Sequence, residues 1–354
     1  MSDPGRFSID AILAFTRDAL IACGVPAADA AIAADKMTEA DRTGFDAHGI
    51  FRLGMYVKTL KSGRVNPKPN IRAIQRAPAT ALVDGDDGIG HLVMTYCANL
   101  AVELARASGI GWVGARRSNH AGAAGIYAEM PTAHNMVGIY AAVSTINNMG
   151  PWGGAEALIG TNPIAVGIPA GNEPPVVLDI ATSIASFGNI RRYAAQNKPI
   201  PEGWVINSDT GEPITDPNQA HQGVLLPIGG HKGAGLALII GLLGGVLNGA
   251  AFGREVIDFV GPGNDPTNTG QFIVAIDVAR FLPLEAFKAE MDRQLADLRN
   301  SKRLPGVDAI QIPGEGRARR RQERARNGVA LPLNLLKQLD AIADELKIAP
   351  LSAR

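Results

Sequence analysis

The sequence predicts an α/β protein, on three observations. Its first sixty residues carry apolar side chains at helical spacing, short β-rich runs alternate with helical stretches from about residue 80, and an amphipathic helix follows a last strand near residue 275. SIDAILAFTRDALIACG reads as a helix opened by Ser8 and closed by Gly24, and AADAAIAADKMTEADRTGF reads as a second. A third runs from about Ile50 to Leu60, ahead of the turn signals Gly63 and Pro67. TALVDG, GWVGAR, MVGIYAAVS, PIAVGIP and PVVLDIA read as strands, with a helix over Leu92 to Ala107 between the first two. QFIVAID is the last core strand, Leu284 to Leu298 the helix that leaves it, and two further helical stretches finish the chain. The expected division is a helical segment over 1–70, an α/β core over 71–283 and a helical segment over 284–354 that packs back on the first.

With 354 residues the chain can bury a sizeable core, and its 34 basic and 34 acidic residues leave no net field to gather nucleic acid or an anionic membrane. Small-molecule chemistry is the class that remains. Cys23 and Cys97 form no C-x-x-C or disulfide framework, and MSDPGRFSIDAIL lacks the basic start and apolar run of a secretory signal, so a cytoplasmic location is expected. The uncharged stretch between Lys232 and Arg254 is about long enough to span a bilayer, but it holds seven glycines and Asn248 and has no aromatic belt. It is expected to be a core or interface helix. Gly241, Gly245 and Gly249 recur every four residues, a face suited to close approach by another backbone, including a second copy of the chain.

A G-x-G-x-x-G dinucleotide fingerprint is absent; GDDGIGH at Gly85 to His91 has its glycines in the wrong order and reads as a tight turn. Any dinucleotide must bind on a different fold. The six histidines show no metal-ligand spacing, so no metal is expected. In DAHGIFR, helical spacing would bring His48 and Arg52 onto one face, the first able to shuttle a proton and the second to grip a carboxylate, or both simply lying at the surface. SNHAGAAGIYAEM sets small residues at a strand-to-helix junction, where free amides offer a seat for pyrophosphate or simply allow close packing. Asp179 ends an apolar strand, placed either to hold a histidine in one tautomer or to cap the segment from Ala181. Lys232 in GGHKGAG suits a phosphate or substrate oxygen, or is simply solvated. The arginine run from Arg317 to Arg326 reads as a solvated helical face, with a lesser reading as a contact for an adenosine 2′-phosphate.

In their order and wording the phrases ADRTGFDAHGIFRL, SNHAGAAGIYAEM, PWGG with GTNPIAVGIPAG, VLDIATS, IPEGW with ITDP, LLPIGGHKGAGLAL and a late PGE resemble the malate/L-lactate dehydrogenase family, nearly end to end. That family also includes ureidoglycolate and sulfolactate dehydrogenases and piperideine-2-carboxylate reductases. The resemblance implies a non-Rossmann, largely antiparallel or mixed sheet with flanking helices that binds NAD or NADP, and a homodimer with active sites near the interface. It implies interconversion of a small 2-oxo acid and a 2-hydroxy acid, with His48 or His120 as acid/base, Asp179 in support and Arg52 on the substrate carboxylate. Cofactor contacts are implied at His120, Ala121, Gly122, Ala123 and Ala124, and at Ser144, Thr161, Asn162, Pro163, Lys232, Gly314 and Glu315. Asn148, ahead of the PWGG turn, is expected to line the substrate pocket. The chain departs from the family at Ala47, where Asp-Ser-His-Gly is usual, so the hydroxyl of a Ser/His/Asp relay is missing. A ketimine reductase acting on cyclic 2-imino acids and a catalytically impaired nucleotide-binding homologue are the rival readings.

Overall fold

A computed structural model describes residues 5–354. Ser8 accepts the Ala11 N–H at 3.0 Å and starts the helix Ile9–Ala22. The second helix, Ala27–Thr43, stops at Gly44, whose φ of 84° lies in the left-handed region that glycine adopts freely. The expected third helix begins late. Two single 3₁₀ turns, Asp46–His48 and Ile50–Arg52, come before the helix Leu53–Lys61. His48 and Arg52 are therefore not on one α-helical face, because the chain breaks at Gly49. Beneath that break lies the carboxylate of Asp41, which accepts the Ile50 N–H at 2.9 Å; a Cβ on Gly49 would stand 2.0 Å from its Oδ1.

Seven strands form the main sheet, in the order Arg72–Arg76, Thr80–Asp84, Ile110–Ser118, Thr269–Asp277, Met136–Ala142, Ile164–Ile168 and Val176–Ile180. Only Thr80–Asp84 and Ile110–Ser118 run parallel; the other neighbours are antiparallel. The fold is thus mixed α/β and largely antiparallel. Side chains alternate along each strand, so Ile273 and Ala275 join a core under the helix Gly90–Ser108, while Phe272 and Val274 join one under the helix His231–Gly244. The short helix Ala124–Glu129 lies close on the first face because a Cβ on Gly138 or Gly167 would come within 2.2 Å of the Ala128 carbonyl oxygen. A four-stranded sheet, unforeseen from the sequence, joins Val205–Asn207, Gly223–Leu225, Asn147–Met149 and Ile159–Gly160.

The N-terminal helices share one core with the C-terminal helix Leu333–Leu346, through Ile12, Phe15, Met37 and Leu53 on one side and Leu335, Leu339 and Ile342 on the other. The glycine-rich segment becomes the helix His231–Gly244, and its glycines are used within the chain: Gly241 takes the ring of Phe252, and Gly245, at the helix end, lies against the carbonyl oxygens of Gly241 and Ala251. Its outward side leaves Leu238, Ile239, Leu242, Val246 and Leu247 exposed.

The arginine run forms the helix Glu315–Asn327, with Arg319, Arg320 and Arg326 exposed as expected but the opposite side turned inward. Arg317 is 5% exposed, and Arg317 and Arg321 both meet Glu129 and Glu39, while Arg324 pairs with Asp46. Positions 317, 321 and 324 fall on one helical side, and that side meets carboxylates from three elements: Glu39 on Ala27–Thr43, Glu129 at the end of Ala124–Glu129 and Asp46 in the first 3₁₀ turn.

Candidate active site

Four aromatic rings gather where the 3₁₀ turns meet the end of the strand Ile110–Ser118. The rings of His48 and His120 stack with centroids 5.8 Å apart and planes within 6°. Tyr56, on the helix after Arg52, sets its hydroxyl 2.5 Å from His120 Nδ1, and Phe259 stacks on His120 at 6.2 Å. Arg52 donates from Nε to the Ala47 carbonyl at 2.9 Å, which ties its guanidinium back to the His48 turn. Neither ring nitrogen of His48, nor Nε2 of His120, has a hydrogen-bond partner among the described residues, and both rings are part-exposed.

The segment carrying His120 is fixed by a buried polar network. Asn119 is 1% exposed and donates to the carbonyls of Asp87 and Gly88 at 2.8 and 2.9 Å, while its Oδ1 accepts from Thr267 Oγ1 at 2.9 Å. Gln271 accepts from Ser118 Oγ at 2.8 Å and donates to the Asn119 carbonyl at 2.9 Å. Each group has its partner, so the network adds rigidity without leaving an unmet donor.

Burial, then the nearby Arg52 charge, pushes His48 down to about 4, so it is neutral at pH 7 in the free enzyme. His120 is driven well below its ordinary value by burial, followed by His48, Arg52 and His91. Arg52 is itself lowered, first by burial, with Tyr56 opposing and Arg191 adding to the shift. The cluster is therefore rich in positive or proton-accepting groups and short of anions, a setting that favours an anionic ligand.

Asp179, expected beside His48, lies elsewhere. Its Oδ2 accepts the Gly125 N–H at 2.7 Å, capping the helix Ala124–Glu129 rather than the segment from Ala181. The expected pyrophosphate seat at that helix start is filled by this carboxylate. Ala121, Ala123 and Ala124 are buried, leaving His120 and Gly122 as the part-exposed residues there. Burial raises Asp179, against the Gly125 N–H and Arg317.

Asp179 also borders a cleft of about 370 Å³ lined by Phe45, Val177, Leu178, Pro313, Gly314, Arg317 and Arg320, among others. Gly314 adopts φ +100 and a Cβ there would reach the Val177 nitrogen at 2.8 Å, so the turn closes on the sheet edge only with glycine. Glu315 turns away: its carboxylate accepts the Ile312 N–H at 3.0 Å and pairs with Arg299 at 2.5 Å. Of the expected pair, Gly314 lines the cleft and Glu315 does not. Apolar walls, a glycine turn, Asp179 and two arginines line it, of which Arg317 is already paired with Glu129.

Ser144 and Thr161 share a hydrogen bond of 3.0 Å between their hydroxyls, and the Thr161 carbonyl accepts from Thr182 N–H at 2.9 Å. Asn162 is fully buried; it accepts from Ser144 N–H at 3.0 Å and donates to the Ala237 carbonyl at 2.8 Å. Its amide is thus spent inside the chain, a correction to its expected cofactor contact. The Pro163 carbonyl accepts from Ala142 N–H at 3.3 Å. Asn148 keeps an unpartnered Oδ1 on the strand Asn147–Met149. Lys232 is exposed in the first turn of the helix His231–Gly244, not in a loop. Among the described residues no group of three or more His, Cys, Asp or Glu side chains is placed to hold a metal.

Sequence reasoning missed Tyr56, Asp41 and Asn119. Asp41 carried a signal: with Ala34, Met37 and Thr38 it completes an i, i+3, i+4, i+7 stripe, and all four are buried. Tyr56 follows Arg52 by one helical turn, the spacing that sets both toward one site.

The family model described as malate/L-lactate dehydrogenase matches residues 7–340. Malate dehydrogenase of Pyrococcus horikoshii is 36% identical over 350 residues, covering 97% of this chain and 96% of its own. The structure of sulfolactate dehydrogenase from Methanocaldococcus jannaschii superposes with a TM-score of 0.90 at 37% identity, covering 97% of this chain and 98% of that one. That of Δ1-piperideine-2-carboxylate reductase from Pseudomonas syringae gives 0.85 at 28% identity, over 96% and 100%. This chain belongs to the malate/L-lactate dehydrogenase family and is an oxidoreductase acting on CH–OH groups.

Proposed function

We propose that this protein interconverts a small 2-oxo acid and its 2-hydroxy acid with NAD or NADP, using His48 as the acid/base. The observation that carries the reading is the paired, part-exposed rings of His48 and His120 beside Arg52, with no anion among the described residues facing them. The residues around the 370 Å³ cleft, chiefly Phe45, Gly314 and Arg320, would hold the dinucleotide, which supplies a hydride when bound.

Arg52 grips the substrate carboxylate with a pair of charge-assisted hydrogen bonds. That contact orients the 2-carbon and offsets the guanidinium charge that depresses His48. His48 then takes up a proton and passes it to the substrate oxygen during reduction; in oxidation it removes the hydroxyl proton. The missing hydroxyl at Ala47 leaves this step to the imidazole alone. The unpartnered Asn148 Oδ1 supports, as a free acceptor, its place beside the substrate.

Replacing His48 with Ala lowers kcat on the order of 10² or more, the usual loss for a general acid. Near-normal turnover in that variant moves the role to His120. A second reading, reduction of a cyclic 2-imino acid, draws on the likeness to the piperideine-2-carboxylate reductase; in it the same residues act on C=N. We also propose that two copies pair through the outer side of the helix His231–Gly244 and the 3₁₀ turn Val246–Asn248 after it, where Leu238, Ile239, Leu242, Val246 and Leu247 are exposed. A single-chain mass by light scattering contradicts that pairing.

A further inference from the structure

Two donors converge on one nitrogen of His120. The Tyr56 hydroxyl lies 2.5 Å from Nδ1, and the backbone N–H of Gly122 points at the same atom from 3.3 Å. A backbone N–H can only donate, so Nδ1 must present its lone pair. The proton of the neutral ring is then on Nε2, the nitrogen that has no partner among the described residues. Tyr56 is 1% exposed and enclosed by His91 and Phe259, with ring centroids at 5.3 and 6.2 Å, so its hydroxyl has little freedom to turn elsewhere. Its nearest other acceptor, the His120 carbonyl, is 3.4 Å away.

We propose that Tyr56 is a positioning residue that locks His120 in the Nε2–H tautomer, making it a neutral hydrogen-bond donor to the substrate's carbonyl oxygen. The two stacked histidines then have separate tasks. His48, with both nitrogens free, carries the transferred proton, while His120 keeps its own and polarises the carbonyl. A neutral donor suits this place because a second imidazolium, stacked 5.8 Å from a charged His48 and near Arg52, would meet strong repulsion. The division of labour rests on the 2-oxo acid reading; the tautomer does not.

The test is nitrogen-15 NMR of the histidine-labelled full-length protein, with the His120 signals assigned by their loss in His120→Asn. Wild type shows a protonated Nε2 and a bare Nδ1 on His120. Tyr56→Phe removes the strong donor and gives a mixture of tautomers, with kcat down roughly tenfold to a hundredfold and KM within about threefold. Thermal unfolding checks that Phe, nearly the same shape, keeps the fold. In the His120→Asn background, Tyr56→Phe has no further effect on kcat. A protonated Nδ1 in wild type, an unchanged tautomer in Tyr56→Phe, or an equal kcat loss in both backgrounds overturns the proposal. If no 2-oxo acid is turned over, the spectra still decide the tautomer, so the two failures are separable.

Discussion

Removing Arg317 tests whether the arginine helix is a structural clamp. Its Nε donates to Glu129 at 2.9 Å, and a terminal nitrogen reaches Glu129 at 2.8 Å and Glu39 at 3.9 Å. Its terminal nitrogens form charge contacts rather than aligned hydrogen bonds. Breaking a buried pair by deleting one partner costs about 3–5 kcal/mol, because the other charge stays buried. Here the loss is reduced, since Arg321 still bridges the same carboxylates, with contacts of 2.6 Å to Glu39 and 2.9 Å to Glu129. Replacement by Met, which keeps an apolar stem but loses the guanidinium that lies 5.7 Å over the Phe45 ring, is expected to cost about 2–3 kcal/mol, or roughly 5 °C in Tm.

The assay is thermal and urea unfolding of the cofactor-free protein from pH 7 down to pH 4. Burial pushes the Glu129 carboxyl up, but Arg321 and Arg317 outweigh it and hold it below its ordinary 4.5. A depressed carboxylate contributes stability above its unfolded value that is lost as pH falls through the folded one. The gap between wild type and Arg317→Met therefore narrows below about pH 4.5. A loss under about 0.5 kcal/mol, the same at every pH, refutes the clamp and returns the run to a solvated face.

Two further predictions follow from the titrating groups. For His48, kcat/KM for reduction reports the free enzyme and falls as pH rises above about 4, whereas kcat reports the complex, in which a bound carboxylate offsets Arg52. The kcat midpoint is expected at least about one unit higher; coincident midpoints contradict a carboxylate on Arg52. For Asp41, burial raises the carboxyl to about 8 despite the Ile50 N–H, so its stabilising contribution is full below 3.8 and lost as pH rises through 8. Asp41→Asn keeps an acceptor for Ile50 and cannot ionise, so at pH 9 it should exceed wild type by about 1–2 kcal/mol in urea unfolding. An equal decline in both proteins between pH 6 and 9 removes Asp41 as the cause.

The helices and strands were legible where the signal was local. Ser8, Gly24 and Gly44 mark ends by capping and left-handed backbone, and the continuous apolar run in QFIVAID predicted a strand that lies in the middle of the sheet. What misled were residues whose partners lie far along the chain. Arg317 looks solvated until the fold brings Glu129, 188 residues earlier, against it, and Asp179 looks like a partner for histidine until it meets Gly125, 54 residues earlier. The His48 and Arg52 spacing suggested a helix, but Gly49 over the Asp41 carboxylate breaks it, and the two groups reach one site by another path. Tyr56 bonds a residue 64 positions away, which no local pattern records.

The most direct test is a panel of pyruvate, oxaloacetate and piperideine-2-carboxylate, each with NADH and NADPH, read by loss of reduced-nicotinamide absorbance for wild type and His48→Ala. The account predicts turnover of at least one 2-oxo acid by wild type and its collapse in the variant. Turnover confined to the cyclic imine, or tight dinucleotide binding with no turnover of any acid, contradicts it.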